Sequence, residues 1–245
     1  MRPLFLSVLL LTIATAAASA QQPAATPESV FAAYESLMGE PAQRDVYALP
    51  PSRYWRAAAP QSIVVSGGRE LNPAAALTAI AGDFAAATGL EIGVSAVAEA
   101  GLPDTRELNS LHIVIAGRPL GARLATEVGV NSEMRDRFHD GRWPALVQYR
   151  RDDLTGRGAR AGVVIIAADL PPAQIEAFLA VSVVWAMGGA SLGEELHILE
   201  RPGSRPGLTD LGRQVFTLMY HSDLYTGMKL DEARARARKI LDLPE

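Results

Sequence analysis

The chain has 245 residues, of which 49% are hydrophobic, and its formal net charge is −4. This acidic balance argues against a nucleic-acid partner, because affinity for phosphate comes mostly from clustered positive charge. The sequence contains no cysteine, which excludes thiol catalysis, disulfide exchange and zinc sites built on Cys ligands. A domain near this length buries enough of its surface to be stable without disulfides.

Residues 1–20 have the three parts of a secretory signal peptide. Arg2 supplies positive charge, residues 4–13 form an apolar core, and Ala18-Ser19-Ala20 offers small residues to the peptidase. We therefore predict cleavage after Ala20 and a periplasmic or secreted mature protein that has no membrane association. The alternative is an uncleaved membrane anchor, because residues 4–20 are nearly long enough to span a bilayer.

Residues 21–60 are predicted to form a tether, a short helix and an arm that wraps over the domain. The Pro-, Ala- and Gln-containing stretch 21–27 indicates a disordered tether. Thr26-Pro27 predicts the start of a helix that ends at Met38. The arm, residues 41–60, contains four prolines and an aromatic cluster, which we interpret as packing rather than as a ligand platform. The cluster consists of Tyr47, Tyr54 and Trp55.

Residues 61–245 are predicted to form a single domain. Five short apolar or β-branched segments predict strands at 62–66, 90–97, 111–116, 146–149 and 161–167. Capping residues and 3.6-residue periodicity predict helices at 72–89 (begun by Asn72-Pro73), near 131–138, after Pro171-Pro172, at 209–220 and at 230–241. The remainder of 117–143 is predicted to be irregular. This order predicts an α+β fold: a twisted mixed sheet with a backing helix, a buried central helix and a small helical C-terminal part.

The central helix is the uncharged run 177–192, AFLAVSVVWAMGGASL. A helix that is apolar on every side belongs in the middle of a protein. The run is shorter than the ~20 residues that a membrane-spanning helix needs. It is therefore predicted to be a core helix.

This order of elements resembles the zincin-like fold of metalloproteases, on the metzincin side, where a sheet and a backing helix precede an active-site helix bearing HExxHxxGxxH. When Gly188 is aligned with the glycine of that motif, Val181 and Trp185 occupy the first two His positions. Ser182 then occupies the Glu position and Ser191 the last His position. Zinc chemistry needs His or carboxylate ligands. The resemblance therefore implies a metzincin-like pseudoenzyme with a degenerate metal motif.

More specifically, residues 62–241 are similar to a proteobacterial family of exported domains of unknown function with the same zincin-like plan. Members tend to keep an acidic pair near Val181-Ser182, and this chain does not. The family brings no known activity with it. The residues that carry the resemblance are Thr88-Gly89-Leu90, residues 111–116, Ala186-Met187-Gly188, Leu208-Thr209, Leu218-Met219-Tyr220, Gly227-Met228 and Glu232-Ala233.

Glu194, Glu195 and His197 are the nearest candidates for a different metal site or for carboxylate chemistry. They lack the i, i+4 spacing that places two ligands on one helical face, and they favour a solvated acidic turn. Of the other histidines, His112 is predicted to be a half-buried strand residue whose ring is satisfied. His221 is predicted to meet the negative end of the preceding helix.

Three further patterns are interpreted structurally. The hydroxyl of Ser182 is predicted to bond back to a helical carbonyl. Carboxylates at 136, 140, 152 and 153 lie among arginines, which predicts a salt-bridged surface rather than paired acids. Glu232 and Arg236 form a favourable i, i+4 pair in the last helix.

Taken together, these patterns predict a non-catalytic, zincin-like scaffold that acts in binding or assembly. Its partner is expected to be an unidentified protein or peptide, and no catalytic, cofactor-binding or metal-ligating residue is assigned. The alternative is a hydrolase that uses carboxylates such as Glu194 or Glu195 near the former active-site cleft.

Overall fold

The structure is a computed structural model that describes residues 25–39, 52–57, 61–102, 109–152, 159–189, 197–200 and 207–244. The predicted leader, residues 21–24 of the tether and Tyr47 of the arm lie outside the described residues.

Five strands form one sheet in the order β2-β1-β3-β5-β4. Strands β1, β2, β3 and β5 are parallel, and β4 is antiparallel to β5. The chain is thus a mixed α/β protein with a mostly parallel sheet, in agreement with the predicted α+β class. All five predicted strands are confirmed, with ends shifted by a few residues. Their bounds are β1 Gln61–Gly67, β2 Ile92–Val97, β3 Ser110–Ala116, β4 Ala145–Asp152 and β5 Ala159–Ala167.

Seven α-helices are present among the described residues, and six of them were predicted. Thr26, Asn131 and Thr209 cap their helices as expected, because the side chain of each accepts a hydrogen bond from a backbone N–H of the first turn. The bounds are α1 Pro27–Met38, α2 Pro73–Thr88, α3 Arg118–Glu127, α4 Ser132–His139, α5 Pro172–Ala186, α6 Asp210–Met219 and α7 Leu230–Ile240.

Helix α3 corrects the expectation of irregular chain before Asn131. It begins at Arg118-Pro119 without a side-chain cap and contains Gly121, so the usual helix signals are weak. Packing explains the glycine, because a Cβ at this position would lie 2.7 Å from the ring of Phe138. Close approach of α3 and α4 therefore requires a residue that local propensity disfavours.

Helix α2 begins where the Asn72-Pro73 pair predicts, but the capping mechanism is different. Asn72 has a left-handed backbone with φ 45°, and its side chain makes no capping hydrogen bond. Pro73 still fits the first helical position, because its fixed φ suits the helix and its missing N–H would have no partner there.

The helices lie in two groups that build two apolar clusters around the sheet. The larger cluster joins α1, α2, α5, α6 and α7 to residues of β1, β3 and β5 such as Ile63, Ile113 and Val164. The smaller cluster joins α3 and α4 to alternate residues of the same central strands, including Val114 and Ile165. Strands β3 and β5 are therefore covered on both faces, which explains why they are continuous apolar runs.

The N-terminal helix and the described part of the arm belong to the larger cluster. Tyr34 and Leu37 of α1 are fully buried, and so are Tyr54 and Trp55 of the arm. The arm residue Arg53 also forms an isolated antiparallel bridge with Lys229, next to α7. The interpretation of Tyr54 and Trp55 as packing residues is confirmed.

Candidate functional site

The candidate site is the C-terminal half of α5, where the resemblance would put metal-binding side chains. Pro171 and Pro172 open this helix, and residues 179–189 are all buried. Val181 and Trp185 retain only 8% and 7% exposure, and Ser182 retains none. Because these two nonpolar residues are one turn apart, they share a face of the helix and present an isopropyl group and an indole there.

The Ser182 hydroxyl is used by its own helix. Its Oγ donates to the carbonyl oxygen of Phe178 at 2.6 Å, one turn earlier. The predicted back-bond is confirmed, and it satisfies a hydroxyl that would otherwise be costly to bury. In this arrangement Ser182 is neither a carboxylate nor a nucleophile with an adjacent base.

The end of α5 differs from the prediction. The helix stops at Ala186 instead of continuing through the predicted uncharged run, and residues 190–192, including Ser191, lie outside the described residues. Gly188 follows with φ +116°, a conformation that side chains rarely adopt. A Cβ on Gly188 would lie 2.7 Å from Cε of Met219 and 3.0 Å from the carbonyl oxygen of Trp55. The chain turns here because the arm and α6 are packed against it.

The arm is fixed at this point by hydrogen bonds to the C-terminal part of the chain. The hydroxyl of Tyr54 and the guanidinium of Arg56 both donate to the carbonyl oxygen of Met219, the latter at 3.2 Å. The hydroxyl of Thr226 donates to the carbonyl oxygen of Arg56 at 2.9 Å. The backbone N–H of Tyr54 also donates to the carbonyl oxygen of Met228 at 2.8 Å. The C-terminal end of α5 is therefore packed against the arm, which is bonded to α6 and to the residues that follow it.

Tyr220 is a polar side chain beside the end of α5 that sequence reasoning left without a role of its own. Its hydroxyl donates to the carbonyl oxygen of Met187 at 3.0 Å, and the guanidinium of Arg56 lies 4.8 Å from its ring centre. Burial raises the pKa of Tyr220 above its ordinary value, and the charge of Arg56 opposes this shift only in part. The Leu-Met-Tyr end of α6 was the available sequence signal for this residue.

The acidic candidates after α5 are not brought into a described site. Glu194 and Glu195 lie outside the described residues, and the side chain of His197 is exposed. The carbonyl oxygen of His197 accepts a 2.6 Å hydrogen bond from the Thr209 hydroxyl, which also caps α6. His197 therefore contributes its backbone to the start of α6.

The other three histidines are dispersed. His112 is more buried than predicted, and its Nε2 lies 3.1 Å from Oγ of Ser110 on the same face of β3. His221 accepts a hydrogen bond from the backbone N–H of Asp223 at 3.2 Å, and His139 lies on the surface beside Asp140. Within the described ranges, no three His, Asp or Glu side chains are grouped closely enough to hold a metal ion.

Of the surface carboxylates predicted to be salt-bridged, Asp140 is confirmed. Arg142 lies 2.8 Å from Asp140, and in α7 the predicted pair of Arg236 and Glu232 is confirmed at 2.7 Å. The side chain of Asp152 and all of Asp153 lie outside the described part of the structure. Exposed pairs of this kind contribute little to stability and do not indicate acid–base chemistry.

A shallow cleft of about 280 Å³ lies against the first half of α5. Its walls are mainly apolar, and two carboxylates, Glu70 and Glu176, also line it. Val181 and Trp185 are not among its lining residues. Its other lining residues are Leu71, Pro73, Ala76, Pro172, Ile175 and Leu179.

No known protein family, curated protein sequence or solved structure matches this chain. Among the helices that the structure describes, none is both long enough and apolar enough to cross a membrane.

Proposed function

We propose that this chain is a zincin-like domain without metal chemistry, whose role is binding or assembly. The order of its elements supports the fold assignment, because β1 and the backing helix α2 precede the buried helix α5. Helix α6 supports it further: it is capped by Thr209 and ends at Tyr220, as in the segment that follows the active site of such enzymes.

The observation that carries the proposal is the filled space around the end of α5. In a metal-dependent hydrolase this region must leave room for a metal, a water and a substrate. Here Gly188 is in contact distance of Met219 and Trp55, and Val181 and Trp185, at the first two ligand positions, are buried in the larger cluster. A helix used in this way contributes packing energy rather than ligands.

The available donors also do not fit zinc. Val181 has no donor atom, the indole of Trp185 offers only an N–H, and the Ser182 hydroxyl is already bonded to Phe178. A catalytic zinc site takes about three protein ligands that are held by outer hydrogen bonds. Restoring a single ligand would place a lone polar group in an apolar environment, where it would destabilise the fold.

Metal analysis of the purified protein tests this proposal. The protein is dialysed, challenged with excess zinc, dialysed again and assayed by elemental analysis. We expect far less than one zinc per chain, and the same result for Val181→His, which should also unfold at a lower temperature. His197→Ala and Glu195→Ala serve as matched variants.

Retention of about one zinc per chain that is lost in His197→Ala or Glu195→Ala would overturn the proposal and favour a metallohydrolase. Zinc-independent hydrolysis of a generic peptide substrate that disappears in Glu194→Ala or Glu195→Ala would also overturn it. That result would favour the carboxylate hydrolase instead.

A further inference from the structure

Strand β2 forms one edge of the sheet, and no described residue pairs with its outer side. The first hydrogen bond between β1 and β2 runs from the N–H of Gln61 to the carbonyl oxygen of Glu91 at 3.0 Å. In a parallel ladder, alternate residues turn both backbone groups toward the neighbouring strand. The register of β2 therefore leaves the N–H and C=O groups of Ile92, Val94 and Ala96 pointing away from β1.

Within the described residues, the β2 edge lacks the features with which proteins usually prevent strand pairing. Natural edges are blocked by Pro, Lys, bulges, inward charges or a covering segment. Strand β2 contains no Pro and no charged residue. The small residues Gly93, Ser95 and Ala96 are exposed, and Val97 is 52% exposed. An extended chain can therefore approach the backbone of β2 without a steric obstacle from these side chains.

Among the described residues in and directly beside β2, the charged side chains are of one sign. Glu91 precedes β2 and Glu99 follows it, and both are exposed. The stretch 89–102 contains no Lys and no Arg. The two carboxylates are separated by at most about 26 Å, the length of an extended chain of this span. They flank a row of backbone donors and acceptors with negative charge at each end.

We propose that the β2 edge binds an extended segment of a partner protein that carries a basic residue at each end. Backbone hydrogen bonds to Ile92, Val94 and Ala96 would supply the affinity, and Glu91 and Glu99 would select for basic ends. This inference rests on the proposed binding role, to which it adds a surface and a class of partner.

A second copy of the chain fits the edge less well. Two β2 strands related by a two-fold axis would run antiparallel, and a pairing centred on Ser95 would bring Glu91 of each copy opposite Glu99 of the other. Like charges directly opposite each other destabilise strand pairs. The charge pattern therefore disfavours self-association in this register, and the test includes self-association as an outcome.

A nine-residue peptide, acetyl-Lys-Thr-Val-Thr-Val-Thr-Val-Thr-Lys-amide, is the probe for the test. Its lysines are eight positions apart in sequence, as Glu91 and Glu99 are, and its alternating side chains favour an extended chain. Binding to the full-length protein is followed by NMR, with amide exchange of β2 as the local readout. We expect slower exchange at Ile92, Val94 and Ala96, and about tenfold weaker binding when both lysines are replaced by Glu.

Ala96→Pro removes one outward N–H without removing a bond to β1, because proline is tolerated where an edge N–H faces solvent. It should weaken binding at least about fivefold, which is the loss of one backbone hydrogen bond. Ala96→Val keeps the N–H and is the matched control. A double charge reversal, Glu91→Lys with Glu99→Lys, provides a second test at exposed positions and should reverse the preference between the two peptides.

Unchanged exchange in β2 at millimolar peptide, or equal binding of the lysine and glutamate peptides, would overturn the inference. Concentration-dependent self-association that protects β2 without peptide would also overturn it, in favour of a homodimer. The zinc and hydrolysis assays do not involve β2, so failure of this inference is distinguishable from failure of the proposed function.

Discussion

Gly188 shows at the scale of one residue how tertiary packing constrains the end of α5. Its φ of +116° is unfavourable for any side chain, and a Cβ there would also collide with Met219. Gly89 has φ +70°, but a Cβ there would meet no atom within 4 Å. Both positions have a backbone conformation that is unfavourable for a side chain, but only at Gly188 would an added Cβ meet neighbouring atoms.

We expect Gly188→Ala to lower the free energy of unfolding by about 2–5 kcal/mol, because strain and overpacking add. Gly89→Ala should cost only about 1–2 kcal/mol, the cost of a left-handed backbone. Urea unfolding of both variants measures the difference. Equal losses would contradict the close packing of Gly188 against the arm and α6.

Tyr220 makes the free energy of unfolding depend on pH in the alkaline range. Burial raises its pKa in the folded chain, whereas in the unfolded chain it ionises near its ordinary value of about 10. Its contribution to stability is therefore complete below about pH 10 and decreases as the pH rises above that value.

Between about pH 9 and 11, Tyr220→Phe should lose less free energy of unfolding than the wild type. The variant lacks the buried hydroxyl, which ionises more readily in the unfolded chain than in the folded one. At neutral pH it should cost about 1 kcal/mol for the lost hydrogen bond to Met187. Urea unfolding at several pH values gives both quantities. Tyr225→Phe, at a 51% exposed tyrosine, is the control. A parallel pH profile for wild type and Tyr220→Phe would contradict this assignment.

At the scale of elements, α5 is a buried helix of the larger apolar cluster. Its C-terminal half belongs to the larger apolar cluster, together with residues of α1, α2, α6 and the arm. A continuous apolar run has no polar face, so the sequence alone indicates burial. Which neighbours cover each side of the helix depends on the tertiary structure.

Trp185→Ala should leave a large cavity in this cluster and cost on the order of 3–5 kcal/mol. A thermal melt measures the change, and Val97→Ala, at an exposed position, is expected to change the melting temperature little. If Trp185 instead served a binding function at the surface, the variant would remain stable and lose that function. An unchanged melting curve is thus the result that would contradict the buried position of Trp185.

At the scale of the whole molecule, the mostly parallel sheet is covered by helices on both faces in its centre and has an open edge at β2. The proposed partner surface at β2 lies at the opposite edge of the sheet from β4.

Export is also a property of the whole molecule, and it remains a prediction. We expect the mature protein to begin at Gln21, because Ala18 and Ala20 supply the small residues that the peptidase accepts. N-terminal sequencing of protein from a periplasmic or culture fraction tests this. Recovery of chains that begin at Met1 in a membrane fraction would favour the uncleaved anchor instead.

The sequence by itself determined the five strands, six of the seven described helices and the burial of α5. Its signals act over a few residues: β-branched runs form strands, Thr26, Asn131 and Thr209 cap helices, and an uncharged run avoids water. It also determined that Val181 and Trp185 offer no metal ligand, because side-chain chemistry does not depend on the fold. The helix at Arg118–Glu127 was missed because Gly121 has a low helix propensity. The glycine is explained only by its close contact with Phe138 in the folded chain.

Only the tertiary structure decided the strand order, the position of β2 at an edge of the sheet and the packing of the arm against Gly188. Tyr54 bonds to Met219 across 165 positions of the chain, and Tyr220 bonds to Met187 across 33. No local pattern specifies which distant carbonyl a hydroxyl will meet, because that choice depends on how the elements pack. The position of the arm against Gly188 is a long-range choice of this kind.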